Sequence, residues 1–190
     1  LFVCDEVQSG FGRTGKMLAI EHFGVVPDII VTAKGIADGF PLSAFTTREE
    51  IARSFTPGDH LSTFGGNPVC CAAAIANLET FRSEALVEAS ARKGLRALER
   101  LRDLLARHAV VGDVRGLGLM LGIEFVSDRE RKTPDAKLAE AVQDKMLERG
   151  FLVGVGGFYG NVLRIQPPLV IEDADLDRGF GALDEILDAA

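Results

Sequence analysis

Leu1-Phe2-Val3-Cys4-Asp5-Glu6-Val7-Gln8 and Asp28-Ile29-Ile30-Val31-Thr32-Ala33-Lys34 are the two phrases that decide how this chain folds. Each is an apolar run of strand length that ends abruptly in polar residues. Leu1–Cys4 is apolar on both faces, the pattern of a parallel strand covered on both sides. In open α/β sheets, ligands sit just beyond the carboxyl ends of parallel strands. The first phrase delivers a carboxylate, Asp5, and an amide, Gln8; the second delivers an amine, Lys34. Three such groups at two strand ends point to one active site.

Between the two phrases, Ser9–Lys16 carries three glycines and reads as a loop, and Met17–Phe23 as a short helix stopped by Gly24 and Pro27. Gly35–Pro41 is a glycine-bearing loop, Leu42–Thr46 a third strand, and Arg48–Phe55 a short helix. Asn67 is a good N-cap and Pro68 suits a first helical turn, so the pattern predicts a helix from Pro68 to about Arg82. A longer helix follows, with Ala91, Leu95, Leu98, Leu101 and Leu105 as its apolar stripe. Val110–Val114 and Leu119–Phe125 read as strands, and Asp135–Arg149 as a helix ending at Gly150. Leu152–Val155 and Val162–Ile165 read as short strands around a glycine-rich turn. A last helix from Asp173 puts Leu176, Phe180, Leu183 and Leu187 on one face. The expected fold class is α/β, with a boundary inside the long helix: residues 1–85 form part of a large parallel-sheet domain and 86–190 a smaller α/β layer.

Composition removes several functions. The apolar fraction of 47% fits a packed core. A net charge of −7 argues against nucleic acid, whose phosphates require clustered Lys and Arg. Cys4, Cys70 and Cys71, an odd count with two adjacent, read as reduced thiols of a cytoplasmic protein. There is no run of 18 apolar residues and no basic-then-apolar leader, so no membrane partner is expected. The chain opens at Leu1 inside a strand-like run, which reads as the carboxyl-terminal part of a longer protein.

Four apolar residues followed by Asp5-Glu6 also match the Mg²⁺-binding strand of P-loop ATPases, and Gly10-Phe11-Gly12-Arg13-Thr14-Gly15-Lys16 resembles the start of a phosphate loop. That match fails at Met17, where Ser or Thr should hold the metal, and the order of the two motifs is reversed. No metal site is expected, because His22, His60 and His108 are scattered without ligand spacing. No Gly-x-Ser-x-Gly turn is present, and a thiol at Cys4 on a buried strand would be inert.

An Asp, a Gln and a Lys at strand ends suit a different chemistry. A lysine amine forms a Schiff base with a carbonyl once part of it is unprotonated. A buried Asp can keep a pyridinium nitrogen protonated and the ring a better electron sink, which is the logic of pyridoxal phosphate. The Gln8 amide can donate to the phenolic oxygen of that ring while the Val7 side chain packs on its face. The plainer alternatives are a solvated loop lysine and polar caps on two strands.

Asp5-Glu6-Val7-Gln8-Ser9-Gly10-Phe11-Gly12-Arg13-Thr14-Gly15 resembles the signature of class III aminotransferases of the ornithine and 4-aminobutyrate type. Pro27 to Gly35 is similar to their cofactor-lysine segment, His60-Leu61-Ser62-Thr63-Phe64-Gly65-Gly66-Asn67-Pro68 to their phosphate-contact segment, and Leu163-Arg164-Ile165-Gln166-Pro167-Pro168-Leu169 to their substrate-arginine segment. The resemblance runs over essentially the whole chain, in order.

It implies a fold-type I architecture, pyridoxal 5'-phosphate as cofactor, and transamination between an amino donor and a 2-oxo acid. Lys34 would hold the cofactor and then move the proton at the substrate α-carbon. Asp5 would hold the pyridine nitrogen, Val7 and Gln8 the ring, Thr63 the phosphate of a neighbouring subunit in a homodimer with shared sites, and Arg164 a substrate carboxylate. Thr63 as an ordinary turn residue and Arg164 as an interface ion pair are the plainer readings. Glu6 and Arg13 receive no role. The family chain is about twice this length, and its other half supplies the phosphate cup, the stacking aromatic and much of the substrate pocket. A non-catalytic truncated module, or a same-scaffold decarboxylase or aminomutase, is therefore the alternative. The expected donor is an α- or ω-amino acid, the acceptor pyruvate, glyoxylate or 2-oxoglutarate.

Overall fold

The computed structural model describes residues 1–189. They divide into two compact units, Leu1–Glu88 and the part from Ala89 onward. No helix among them is long and apolar enough to cross a membrane.

The first unit is built on a three-stranded sheet of β1 (Val3–Asp5), β2 (Ile29–Thr32) and β3 (Ala44–Thr47), in that order. Strands β1 and β2 are parallel, with Val3 opposite Ile29, Cys4 opposite Ile30 and Asp5 opposite Val31. Strand β3, expected as part of a parallel sheet, runs antiparallel to β2. Segment 33–43 holds only a short turn at Lys34–Ile36, less chain than the dozen or so residues that a parallel crossover needs.

Asp28 fixes the entry to this sheet. Its carboxylate accepts from Phe2 N at 2.7 Å and pairs with Arg48, and its carbonyl accepts from Thr47 Oγ1 at 2.7 Å. The strands are less covered than their composition suggests: Leu1, Phe2 and Val3 remain 90%, 45% and 52% exposed. The unit's helices α1 (Glu49–Ala52) and α2 (Pro68–Ser83) are too few to close a layer on each face of the sheet. Helix α2 starts where its sequence says: Asn67 Oδ1 accepts from Cys70 N at 3.0 Å, and Pro68 occupies the first turn.

Helix α3 (Leu86–Arg107) leads into the second unit. There an antiparallel sheet has the order β4 (Val111–Leu117), β5 (Met120–Asp128), β8 (Val162–Ile165), β7 (Gly154–Gly156), and β6 (Thr133–Pro134) pairs with β5 at its far end. Helices α4 (Ala136–Glu148) and α5 (Asp173–Asp188) complete the layer. Leu101, Ile123, Phe125, Val142, Leu163 and Leu183 lie at the centre of the core. All four residues expected on the inner face of α5 are buried.

The buried face of α3 is rotated from the expected stripe. Leu95 is 67% exposed, whereas Ser90, Lys93, Ala97, Leu101 and Leu104 point inward. Polar and small residues sit there because the helix lies against backbone. A Cβ at Gly94 would run into Gly118, Ser90 Oγ accepts from Leu119 N at 3.4 Å, and the Lys93 amine donates to the Ile171 carbonyl. An apolar stripe misses a helix face that is chosen for close approach. At the other end, Arg129 closes α3 by donating from Nη2 to the carbonyls of Leu105 and His108 at 2.6 Å.

Two outcomes follow for stability. Gly94→Ala forces methyl against main chain and should cost about 2–3 kcal/mol in urea denaturation, while Gly181→Ala in α5, with nothing within 4 Å of the new methyl, should be neutral or mildly stabilising. Asp184 on α5 accepts from Arg107 at 2.5 Å and lies 3.2 Å from His108 Nε2. Burial raises its pKa, but the bonds and charges of Arg107 and His108 outweigh burial and hold it below the ordinary 3.8. A carboxylate lowered on folding stabilises at neutral pH and loses that contribution as pH falls through its folded value. The melting-temperature gap between wild type and Asp184→Asn should therefore narrow as pH falls from about 7 towards about 3.

Candidate active site

The parallel register places the two chemistry-bearing ends of the first unit side by side. Glu6 N donates to Val31 O at 2.8 Å, extending the ladder one residue past Asp5. Asp5 thus leaves β1 beside Val31, three residues before Lys34. Asp5 Oδ1 accepts from Val7 N at 2.9 Å, a local turn that orients the carboxylate and starts the glycine loop. Both Asp5 and Lys34 are exposed at the strand ends. No hydrogen bond or ion pair among the described residues engages the Lys34 amine.

Lys34 has φ of 47°, a left-handed conformation that a non-glycine residue adopts only when its surroundings impose it. Two restraints are visible. The Lys34 carbonyl accepts from Ala37 N at 3.3 Å and Asp38 N at 3.1 Å. From helix α2, Asn77 Nδ2 donates to Gly35 O at 2.7 Å and Ile36 O at 3.4 Å. Phe11 of the glycine loop then wedges between the parts: a Cβ at Gly35 would lie 3.1 Å from Phe11 Cβ, and the Phe11 ring is 6.4 Å from that of Phe81 on α2. Gly35 therefore lets the loop of β1 press against the loop of β2.

Glu6, to which the sequence assigned no role, is the anchor of the glycine loop. It is 1% exposed. Its carboxylate accepts from Ile20 N at 2.7 Å and Ser9 Oγ at 2.5 Å, and its carbonyl accepts from Gly10 N at 3.0 Å. Strand alternation sends Glu6 to the face opposite Asp5, so one acid faces the strand-end site and its neighbour the scaffold. The signal available in the sequence was an acid two residues after Cys4 on an otherwise apolar face. Asn77 was also missed, although an amide in the alanine-rich run of α2 needs a partner. Arg13 of the same loop is pushed below its ordinary pKa by burial, with the nearby Asp38 carboxylate pulling the other way.

The remaining expected residues lie elsewhere. Thr63 is on the exposed run before α2, and no hydrogen bond among the described residues joins it to Asp5 or Lys34. Arg164 belongs to the second unit, on β8, exposed to solvent. The structure therefore brings Asp5, Val7, Gln8 and Lys34 to one end of one sheet. An amine without a partner, an oriented carboxylate and an amide are the groups that a pyridine aldehyde requires, so these residues fit pyridoxal phosphate. The amides of the first turn of α2 add a place for an anion.

A family model described as "Aminotransferase class-III" matches residues 1–187. The chain is 48% identical over 184 residues to an alanine–glyoxylate aminotransferase 2 homolog of Arabidopsis thaliana, covering 97% of this chain and 39% of the relative. It is 45% identical over 187 residues to a leucine/methionine racemase of Thermococcus litoralis, covering 98% of this chain and 42% of that protein. The crystal structure of a Bacillus anthracis aminotransferase superposes with a TM-score of 0.92 at 40% identity, covering 99% of this chain and 44% of that one. The chain thus spans less than half the length of these relatives.

Removing the Glu6 carboxylate strands the half-buried Ile20 N–H and should cost about 1–3 kcal/mol. Glu6→Ala in the cofactor-free whole protein should melt lower and expose segment 9–20 to protease. A melting temperature and cleavage pattern equal to wild type would show that the loop does not depend on this acid.

Proposed function

The chain belongs to the class III aminotransferase family, and we propose that the whole protein catalyses pyridoxal-phosphate-dependent transfer of an amino group from a donor amine or amino acid to a 2-oxo acid. The observation that carries this reading is the parallel register, which sets Asp5 and Lys34 at the same end of adjacent strands. When bound, pyridoxal phosphate supplies an electron sink for the pair left when the substrate Cα–H bond breaks.

The residues of this chain take the other roles. Asp5 keeps the proton on the ring nitrogen, its orientation set by the Val7 N–H bond. Gln8 would donate from its amide to the phenolic oxygen of the bound cofactor, and Val7 would cover a ring face. Lys34 holds the cofactor through its amine and afterwards takes the proton from the substrate α-carbon and returns it. General base and acid are one group here, so its position matters twice, and the constrained backbone at φ of 47° limits where the amine can reach. Arg164 receives the substrate carboxylate as a bidentate partner.

Thr63, on the exposed run before α2, contacts the cofactor phosphate from the neighbouring subunit of a homodimer. We also assign 1–85 to the large cofactor domain and 86–190 to the small domain, and the protein to the cytoplasm, for which its three free cysteines speak. An α- or ω-amino acid is the preferred donor, with pyruvate, glyoxylate or 2-oxoglutarate as acceptor. The racemase relative favours a second reading, in which Lys34 moves the same proton but no amino group leaves. Conversion of the donor to its carbonyl product, a 2-oxo acid from an α-amino acid or an ω-oxo acid from an ω-amino acid, separates the two.

Borohydride reduction of the whole protein loaded with pyridoxal phosphate, followed by peptide mapping, should place the cofactor mass on the peptide containing Lys34. Lys34→Ala should lose the label and at least about 1,000-fold of kcat, the combined loss of covalent attachment and general base. Label on another lysine, or none, would overturn the assignment.

A further inference from the structure

We propose that Gly154 and Gly156 are specificity-determining positions: their missing side chains fix where the Arg164 guanidinium lies, and with it the preference for substrates that bear a carboxylate. The inference rests on Arg164 being the carboxylate partner, and it adds what holds that arginine in place.

Strand β7 pairs antiparallel with β8, Gly154 opposite Arg164 and Gly156 opposite Val162. Residues directly opposite share a face, and the residue two along is their diagonal neighbour. Gly154 and Gly156 are thus the two positions of β7 over which the Arg164 side chain can lie. It does lie there. A Cβ at 154 would be 3.1 Å from Nη2 and 3.4 Å from Nε, and one at 156 would be 3.0 Å from Nε and 3.3 Å from Cδ. Neither glycine has a left-handed φ, in contrast to Gly157 at 81° and Gly160 at 68°. The backbone does not require glycine at 154 or 156, and glycine weakens a strand interior, so close approach of another group explains both. That group is the guanidinium.

Arg164 is also left without a counter-charge. Arg92, Arg96, Arg107, Arg115, Arg149 and Arg178 of the same unit each meet a carboxylate; of those that do not, Arg129 spends its donors on backbone carbonyls, and Arg100 and Arg102 stand on the exposed side of α3. Among the described residues Arg164 makes no ion pair, and its one bond is a long donation from Nη2 to Val155 O at 3.4 Å. Its position is set by the shape of a glycine floor, and its donors are left for an anion that the unit does not supply. A methyl on that floor would push a flexible side-chain tip and spare the backbone, so the planar fork would be moved while the fold stays intact. Bidentate recognition is sensitive to such a shift.

The test uses the whole protein with its cofactor bound and propanoate, an unreactive carboxylate, as calorimetric probe. Gly154→Ala, Gly156→Ala and Arg164→Ala are compared with wild type. Each alanine on the floor should weaken propanoate at least tenfold. It should also raise KM for the best acceptor among pyruvate, glyoxylate and 2-oxoglutarate at least tenfold more than KM for propanal, which lacks the carboxylate. Melting temperatures report whether the fold is kept. A loss with Arg164→Ala but changes under twofold with both glycine variants would overturn the role of the floor and leave Arg164 as the carboxylate partner. A change under twofold with Arg164→Ala itself would overturn both.

Discussion

The parallel pairing of β1 with β2 is the constraint on which the rest of the site depends. A carboxylate and an amine far apart in sequence become neighbours only because Asp5 pairs opposite Val31 and both strands end at the same edge of the sheet. A slip of one residue would turn Asp5 to the other face and bring Glu6 forward in its place. The two acids are not interchangeable. Asp5 is exposed and held by one local backbone bond, whereas Glu6 is buried and ties together residues 9, 10 and 20. The register therefore also decides which acid stands open at the strand end and which one is buried in the scaffold.

Once the strands are set, the loops that follow them are locked against each other by small residues and amides. Gly35 admits Phe11, Phe11 meets Phe81, and Asn77 holds the carbonyls just after Lys34. These contacts maintain the unfavourable backbone at Lys34 (about 1–3 kcal/mol for such a residue). The second unit uses the same device for a different end. Gly94 lets α3 touch the turn at Gly118, and Gly154 with Gly156 let a guanidinium lie on a strand.

Much of this was legible in the sequence, and the exceptions share one cause. The apolar runs, the Asn67-Pro68 helix start and the face of α5 with Leu176, Phe180, Leu183 and Leu187 could be read because burial, capping and periodicity leave local marks. The likeness of Asp5–Gly15 and Pro27–Gly35 to class III aminotransferases gave the family. What escaped depends on partners distant in sequence. The inner face of α3 is polar and small where it meets main chain, so hydrophobicity pointed to Leu95, which is exposed. The direction of β3 follows from a short connection rather than from its own residues. Glu6 and Asn77 act through backbone groups of other segments, and no residue pattern announces a backbone acceptor. The exposure of Leu1, Phe2 and Val3 belongs with these: an apolar run predicts that a strand can be buried, while what lies over it is decided elsewhere.

The central claim is geometric, and a crystal structure of the whole protein with pyridoxal phosphate measures it directly. The Asp5 carboxylate should lie within about 3 Å of the pyridine nitrogen, with density continuous from the Lys34 amine to the carbonyl carbon on the opposite edge of the ring. A cofactor bound in another cleft, or a ring whose nitrogen faces a residue other than Asp5, would contradict it.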